Sequence, residues 1–257
     1  MARMNYKRAI VRRPGPRFAE GLTTVDLGKP DFEKALQQHE DYCDALKRCG
    51  LEVMVLPTLP EFPDSPFVED TAIITQNLVV ITRPGDKSRR GEEKSISEIL
   101  RQDRELEFIK GPGTVDGGDI LRIGSHFFIG LSERTNIEGA NQLHAIFSRH
   151  KFTSSTITVT AVLHLKSGVT CIGDKHVIAI DEFACRPEFK AFDVINAPND
   201  EAYAVNCLLI NGTLLMPRGF QKMAEQFKTL GYPIIEVDMT EFQKMDGGLT
   251  CLSLLLT

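Results

Sequence analysis

Cys207-Leu-Leu-Ile-Asn-Gly-Thr-Leu-Leu-Met216 reads as a β-hairpin, two apolar strands joined by Asn211-Gly212. Asn-Gly is the strongest short hairpin signal, because both turn positions need positive φ. The same arrangement occurs three times upstream. Thr71-Ala-Ile-Ile-Thr75 turns through Gln76-Asn77 into Leu78-Val-Val-Ile-Thr82. Ile120-Leu-Arg-Ile123 turns through Gly124-Ser125 into His126-Phe-Phe-Ile-Gly130. Thr170-Cys-Ile-Gly173 turns through Asp174-Lys175 into His176-Val-Ile-Ala-Ile180. A recurrence about every 35–50 residues marks a repeat architecture.

Working outward, each hairpin is followed by a helical segment and a third strand. Residues 91–104, 137–150 and 220–230 read as helices, the last stopped by Gly231. The strands after them are Leu106-Glu-Phe-Ile109, Thr156-Ile-Thr-Val159 and Ile234-Ile-Glu-Val237. In the third copy only a turn or two, near residues 187–192, precedes Val194-Ile195. A fifth copy is split between the chain ends. Residues 249–256 supply its first strand and Arg8-Ala-Ile-Val-Arg12 its second. Residues 31–49 form its helix, with Phe32, Ala35, Leu36, Tyr42, Ala45 and Leu46 on one face, and Leu51-Glu-Val-Met-Val-Leu56 closes it. The expectation is an α/β fold of five strand–strand–helix–strand units, one domain over residues 1–257, closed by joining the ends so that few sheet edges stay open.

In every unit a loop joins the last strand to the next unit's first strand. By symmetry these loops, residues 64–70, 111–119, 163–168, 199–206 and 246–251, gather on one side of the central axis. Most of the conspicuous polar and glycine-rich positions fall there.

Composition narrows the function. The chain has 257 residues, 42% hydrophobic and 25% charged, with a net charge of −5. Nucleic acid would require a basic stripe, and there is none. The apolar runs are too short to span a bilayer. The basic N-terminus lacks the apolar stretch of a signal peptide, so a cytoplasmic location is expected. The six cysteines have no C-x-x-C pair and irregular spacing, against a structural zinc site or a disulfide framework.

Cys251, in Asp246-Gly-Gly-Leu-Thr-Cys251, stands apart from the other five. Glycines there let backbone amides approach a reacting group closely. A strand cysteine is ordinarily core, and this one needs a nearby cation or base to ionise. His164, in Leu163-His-Leu-Lys-Ser-Gly168, shares the mouth, so a Cys/His pair is plausible. Asp64, Glu69, Asp70, Asp116 and Asp119 converge on the same side. Singly they would cap turns; together with a thiol and an imidazole they suggest a pocket for a planar cation such as guanidinium. Residues 111–118 lack the Lys-Ser/Thr ending of a phosphate-binding loop.

These motifs resemble the dimethylarginine dimethylaminohydrolases, of the guanidine-modifying superfamily with the five-fold pseudosymmetric α/β-propeller called the pentein. The resemblance covers essentially the whole chain. It is carried by Gly21-Leu22-Thr23, Phe62-Pro-Asp-Ser65 with Phe67-Val-Glu-Asp70, Ile81-Thr-Arg-Pro-Gly85 with Ser88-Arg-Arg-Gly-Glu92, Gly113-Thr-Val-Asp-Gly-Gly-Asp119, Arg134-Thr-Asn136, Leu163-His-Leu-Lys166 and Met245-Asp-Gly-Gly-Leu-Thr-Cys251. It implies hydrolysis of Nω-methylated arginine to citrulline and an amine through a covalent thiouronium. Cys251 is then the nucleophile, His164 the acid/base and Asp116 its support. Asp70 with Glu69 holds the guanidinium, Arg89 and Arg134 the α-carboxylate, Asp64 and Leu22 the amino-acid end, and Met245 lines the mouth. The resemblance implies no metal and no organic cofactor, a small-molecule substrate as partner, and a monomer or homodimer. An unperturbed imidazole, near 6.5, is the expected proton donor. One departure is Lys166, where the superfamily's deiminases and amidinotransferases carry Asp. Two rivals stay open at this point: a hydrolase of another guanidine, and a non-catalytic binding protein on the same fold.

Overall fold

The computed structural model describes residues 5–102, 104–173 and 175–257. Among them lie fifteen strands in five three-stranded mixed sheets. The first sheet joins the chain ends: β15 (Leu254–Leu256) pairs antiparallel with β1 (Arg8–Arg12), which pairs parallel with β2 (Glu52–Leu56) after helix α1 (Phe32–Arg48). The second is β3 (Ala72–Ile74), β4 (Val79–Ile81) and β5 (Leu106–Phe108), with α2 (Glu92–Leu100) before the last strand. The third is β6 (Ile120–Ile123), β7 (His126–Leu131) and β8 (Thr153–Thr158), with α3 (Ile137–Arg149). One-turn helix α4 (Leu165–Gly168) leads into the fourth, β9 (Val169–Ile172), β10 (His176–Ala179) and β11 (Asp193–Asn196), with short α5 (Asp181–Ala184). The fifth is β12 (Leu208–Ile210), β13 (Thr213–Pro217) and β14 (Ile234–Val237), with α6 (Gln221–Thr229). In every sheet the middle strand pairs antiparallel with the first and parallel with the third.

Sequence pattern explains this layering. The middle strands are near-continuous apolar runs because both faces are covered: Val79–Ile81, Val177–Ala179 and Leu214–Pro217 are buried throughout. Third strands are partly exposed, as in β2 and β8. Helix α1 buries Ala35, Tyr42, Ala45 and Leu46 on one face, and Asp31 caps it by accepting from Lys34 N at 2.9 Å. The Asn211-Gly212 turn has φ of 49° and 90°, as the hairpin reading requires.

Several local expectations change. The third hairpin turns at Gly173, φ 71°, with Ile172 paired to His176; Asp174 lies outside the described residues. Helix α2 stops at Leu100, and the fourth unit's helix is split between α5 and a 3-10 turn at Pro187–Phe189. Thr71 and Cys251, expected in strands, sit in one-turn 3-10 helices, Val68–Thr71 and Thr250–Leu252.

That difference is systematic. Each unit opens with a short helical stretch before its first strand: Val68–Thr71, Gly117–Asp119, α4, Asn199–Val205 and Thr250–Leu252. Hydrogen bonds link each stretch to the next around the axis. Asp70 Oδ1 accepts from Gly118 N (2.9 Å), and Asp119 Oδ1 from Leu165 N (3.0 Å). Lys166 O accepts from Asn206 Nδ2 (3.0 Å), and Asn206 Oδ1 from Thr250 N (2.9 Å). Thr250 Oγ1 donates to Glu69 Oε2 (2.8 Å), closing the circuit. Buried polar groups are thereby satisfied, and five turns distant in sequence are held as one rigid floor.

Candidate active site

The axial turns carry their side chains into a pocket open to solvent, with about 360 Å³ of space between and above its walls. Its lining includes Leu22, Asp64, Asp70, Arg89, Asp116, Arg134, His164, Met245 and Cys251. Nine of the ten residues given roles by the resemblance therefore meet in one place; Asp119, also noted among the acids, does not line the pocket and binds Ser132 and Leu165 N instead. The tenth, Glu69, does not line the pocket; it sits behind Cys251, bonded to Lys166 Nζ (2.5 Å) and Thr250. Phe67, Leu163, Asp246 and Gly247 also line it. The sequence assigns none of these four a role, though all lie within motifs or loops noted above.

The loop before Cys251 has little freedom. Tyr42 Oη donates to Leu249 O (2.9 Å), and Tyr203 Oη to Gly247 O (2.7 Å). Asp246 takes φ 56°, a conformation most side chains avoid. A Cβ at Gly248 would lie 2.4 Å from Asn206 Oδ1, so only glycine fits there. Gly248 N donates to Cys251 Sγ at 3.4 Å. Burial and the carboxylates of Glu69 and Asp70 push the thiol up to about 12, so it is protonated in the free protein.

His164 behaves oppositely. Its Nε2 lies 3.1 Å from Asp116 Oδ2, and Asp116 Oδ1 accepts from Gly85 N at 2.8 Å. Burial alone would push the imidazole down, but Asp70, the Asp116 hydrogen bond and Asp119 outweigh it and raise it to about 9. This corrects the expectation of an ordinary value near 6.5: the ring is charged at neutral pH. The ring also packs closely against Gly118, where a Cβ would come 2.8 Å from His164 Cγ. Because the folded value is raised, the charged ring contributes stability fully below about pH 6.5, and that contribution is lost as pH rises through about 9. Asp116→Asn should lower the His164 value. Thermal midpoints of variant and wild type should differ most near pH 6 and converge above 9; a gap that widens with pH would contradict this.

Asp70 completes the floor. Burial would raise it, but His164 and Arg89 hold it down at about 2. Arg89 Nη1 donates to Asp70 Oδ2 at 2.6 Å, its Nε and Nη2 fork onto Glu92, and Nη2 also reaches the carbonyl of Phe67 at 3.1 Å. Arg89 is thus held on several sides by the wall it lines, whereas Arg134 lines the pocket paired to Asp86 at 3.2 Å. Asp64 receives the Leu22 amide at 3.0 Å and fixes the Leu22 loop. Asp70, Asp116 and His164 bring ligand-type atoms within 4.8 Å of one another. Each carboxylate already holds protein partners: Asp70 accepts from Arg89 and Gly118, and Asp116 accepts from Gly85 and pairs with His164.

Comparison with known proteins agrees with this geometry. Residues 28–192 match the family model described as N,N dimethylarginine dimethylhydrolase, eukaryotic. The N(G),N(G)-dimethylarginine dimethylaminohydrolase of Pseudomonas aeruginosa is 44% identical over 97% of this chain and 99% of its own length. That of Streptomyces coelicolor is 39% identical, with 98% of each chain covered. The solved Pseudomonas enzyme, a cysteine-to-serine mutant complexed with citrulline, superposes with a TM-score of 0.97 at 43% identity, over 98% of this chain and all of that one. The N-terminal domain of ArgZ, an arginine dihydrolase, shares the fold at a TM-score of 0.84 and 18% identity, over 97% of this chain and 98% of that one. Fold, pocket and sequence thus agree from one end of the chain to the other, and the chain belongs to the dimethylarginine dimethylaminohydrolase family.

Proposed function

We propose that this chain hydrolyses Nω,Nω-dimethyl-L-arginine, and Nω-monomethyl-L-arginine, to L-citrulline and the corresponding methylamine. The reading is carried by one observation: a half-buried thiol shares a pocket with an imidazolium, the Asp116 that holds it, and the ionised Asp70. A dimethylarginine hydrolase needs all four in one place.

The chemistry follows from their charges. The substrate guanidinium docks against Asp70, which Arg89 and the Gly118 amide fix in orientation. Its positive charge, set beside Cys251, offsets the burial and the carboxylate field that together keep the thiol protonated, and the proton leaves to solvent. The thiolate attacks the guanidinium carbon. His164, already charged, gives its proton to the departing dimethylamine, leaving a planar thiouronium on Cys251. Neutral His164 then takes a proton from water as that water attacks, and collapse releases citrulline with the thiol. Arg134 receives the α-carboxylate, and Asp64 with the Leu22 loop the amino-acid end. Met245 packs the wall. Arg89, first read as a carboxylate ligand, acts in this reading by aiming Asp70. The protein groups supply the acid, base and nucleophile this sequence requires.

The test is product analysis. Dimethylarginine should give dimethylamine and citrulline in equal amounts, and L-arginine should be turned over roughly tenfold more slowly or worse, as loss of substrate methyl contacts commonly costs. Ammonia released from arginine faster than dimethylamine from dimethylarginine would overturn the substrate assignment.

A further inference from the structure

Behind Cys251 lies a closed hydrogen-bonded ring built from four different units. Lys166 Nζ donates to Glu69 Oε1 (2.5 Å), and Glu69 Oε2 accepts from Thr250 Oγ1 (2.8 Å). Thr250 is in turn held by Asn206, through its backbone amide (2.9 Å) and its hydroxyl (3.1 Å). Asn206 Nδ2 returns to the carbonyl of Lys166 at 3.0 Å. Thr250 immediately precedes the nucleophile, so whatever fixes Thr250 fixes the start of Cys251. Glu69 is 9% exposed, and Lys166 is the cation paired with it. A buried carboxylate stripped of its cation is costly and projects its charge through a low-dielectric interior.

We propose that Lys166 is a positioning residue for the nucleophile: its ion pair with Glu69 neutralises the carboxylate behind Cys251 and anchors Thr250 through that carboxylate. The inference rests on Cys251 being the attacking group. It is independent of which guanidine is cut.

The surroundings of Cys251 show why one cation matters. Glu69 and Asp70, from the turn before β3, both disfavour its thiolate, and Lys166 favours it. Tyr42 of α1 and Tyr203 of the Asn199–Val205 turn also feel the thiolate's charge, but burial keeps both phenols neutral. His164 and Asp116 line the same pocket and largely offset each other as an ion pair. Across the pocket, Arg89 is matched by Asp70 and Glu92, and Arg134 by Asp86; Asp64 and Asp246 complete the charged lining. Glu69 and Lys166 are therefore the pair whose imbalance would fall directly on the thiol.

Alkylation by iodoacetamide reads this without any turnover. The sulfur–carbon bond forms, the carbon–iodine bond breaks, iodide leaves, and the thiol proton goes to buffer. The rate on Cys251, followed by peptide mass analysis to separate it from the other five cysteines, tracks thiolate population. Lys166→Met should slow that rate about tenfold between pH 7 and 9, the effect of one pH unit in thiolate ionisation. Glu69→Gln alone should speed it. Glu69→Gln combined with Lys166→Met should return it to within roughly threefold of wild type, and Lys166→Arg should retain it. If Lys166→Met does not fold, the faster alkylation of Glu69→Gln and the retained rate of Lys166→Arg still decide. The proposal fails if a folded Lys166→Met alkylates at the wild-type rate, if the double variant stays as slow as Lys166→Met, or if Glu69→Gln is no faster than wild type. Loss of dimethylarginine turnover with an unchanged alkylation pattern in wild type would instead count against the substrate assignment alone.

Discussion

Cys251→Ser should abolish turnover, lowering kcat on the order of 10⁴-fold or more, while leaving the fold intact. A hydroxyl ionises far less readily than a thiol, and no base stands ready to help it. His164, the nearest candidate, is held protonated up to about pH 9 and has no lone pair to spare at neutral pH. Stability should hardly change. The sulfur makes two long contacts, accepting from Gly248 N at 3.4 Å and meeting Thr250 Oγ1 at 4.0 Å, and the loop is pinned by Tyr42, Tyr203 and Asn206 rather than by the thiol. A thermal midpoint within a few degrees of wild type, corresponding to about 1 kcal/mol or less, is expected. Residual activity within tenfold of wild type would remove Cys251 from the mechanism.

His164→Gly separates the two halves of the reaction. With dimethylarginine the amine cannot leave without a proton, so steady turnover should fall by a similar factor. S-methyl-L-thiocitrulline offers a leaving group that departs as a thiolate and needs no acid. The first half-reaction should then proceed and the second stall, because no base activates water. The cost of this variant to folding should be larger than that of Cys251→Ser, since Asp116 would lose its partner while still buried.

Sequence made the repeat legible because hairpins announce themselves locally. Asn211-Gly212 needs positive φ at both positions, and it has it. The middle strands are near-continuous apolar runs because helices and neighbouring sheets cover both faces. The one-turn helices at the axis were not legible. Three residues carry no helical period, so Thr250-Cys251-Leu252 reads as the start of a strand. Their chemistry is nevertheless what turns Cys251 toward the pocket. The candidate site was legible as a set of residue types at repeat junctions, and nine of ten converge. Sequence could not report partner choice. Arg89 looks free to bind a carboxylate until Asp70 and Glu92 are found beside it. Glu69 looks like a guanidinium ligand until Lys166, distant in sequence, is found across the axis from it. The state of His164 was hidden for the same reason: three carboxylates from two other loops set it.

Cys251 as the site of covalent attack is tested most directly by acid-quenched peptide mass mapping of His164→Gly after mixing with S-methyl-L-thiocitrulline. The account predicts one stoichiometric adduct on the peptide containing Cys251, absent when Cys251 is also changed to serine. An adduct on any other cysteine, or none despite release of methanethiol, would contradict it.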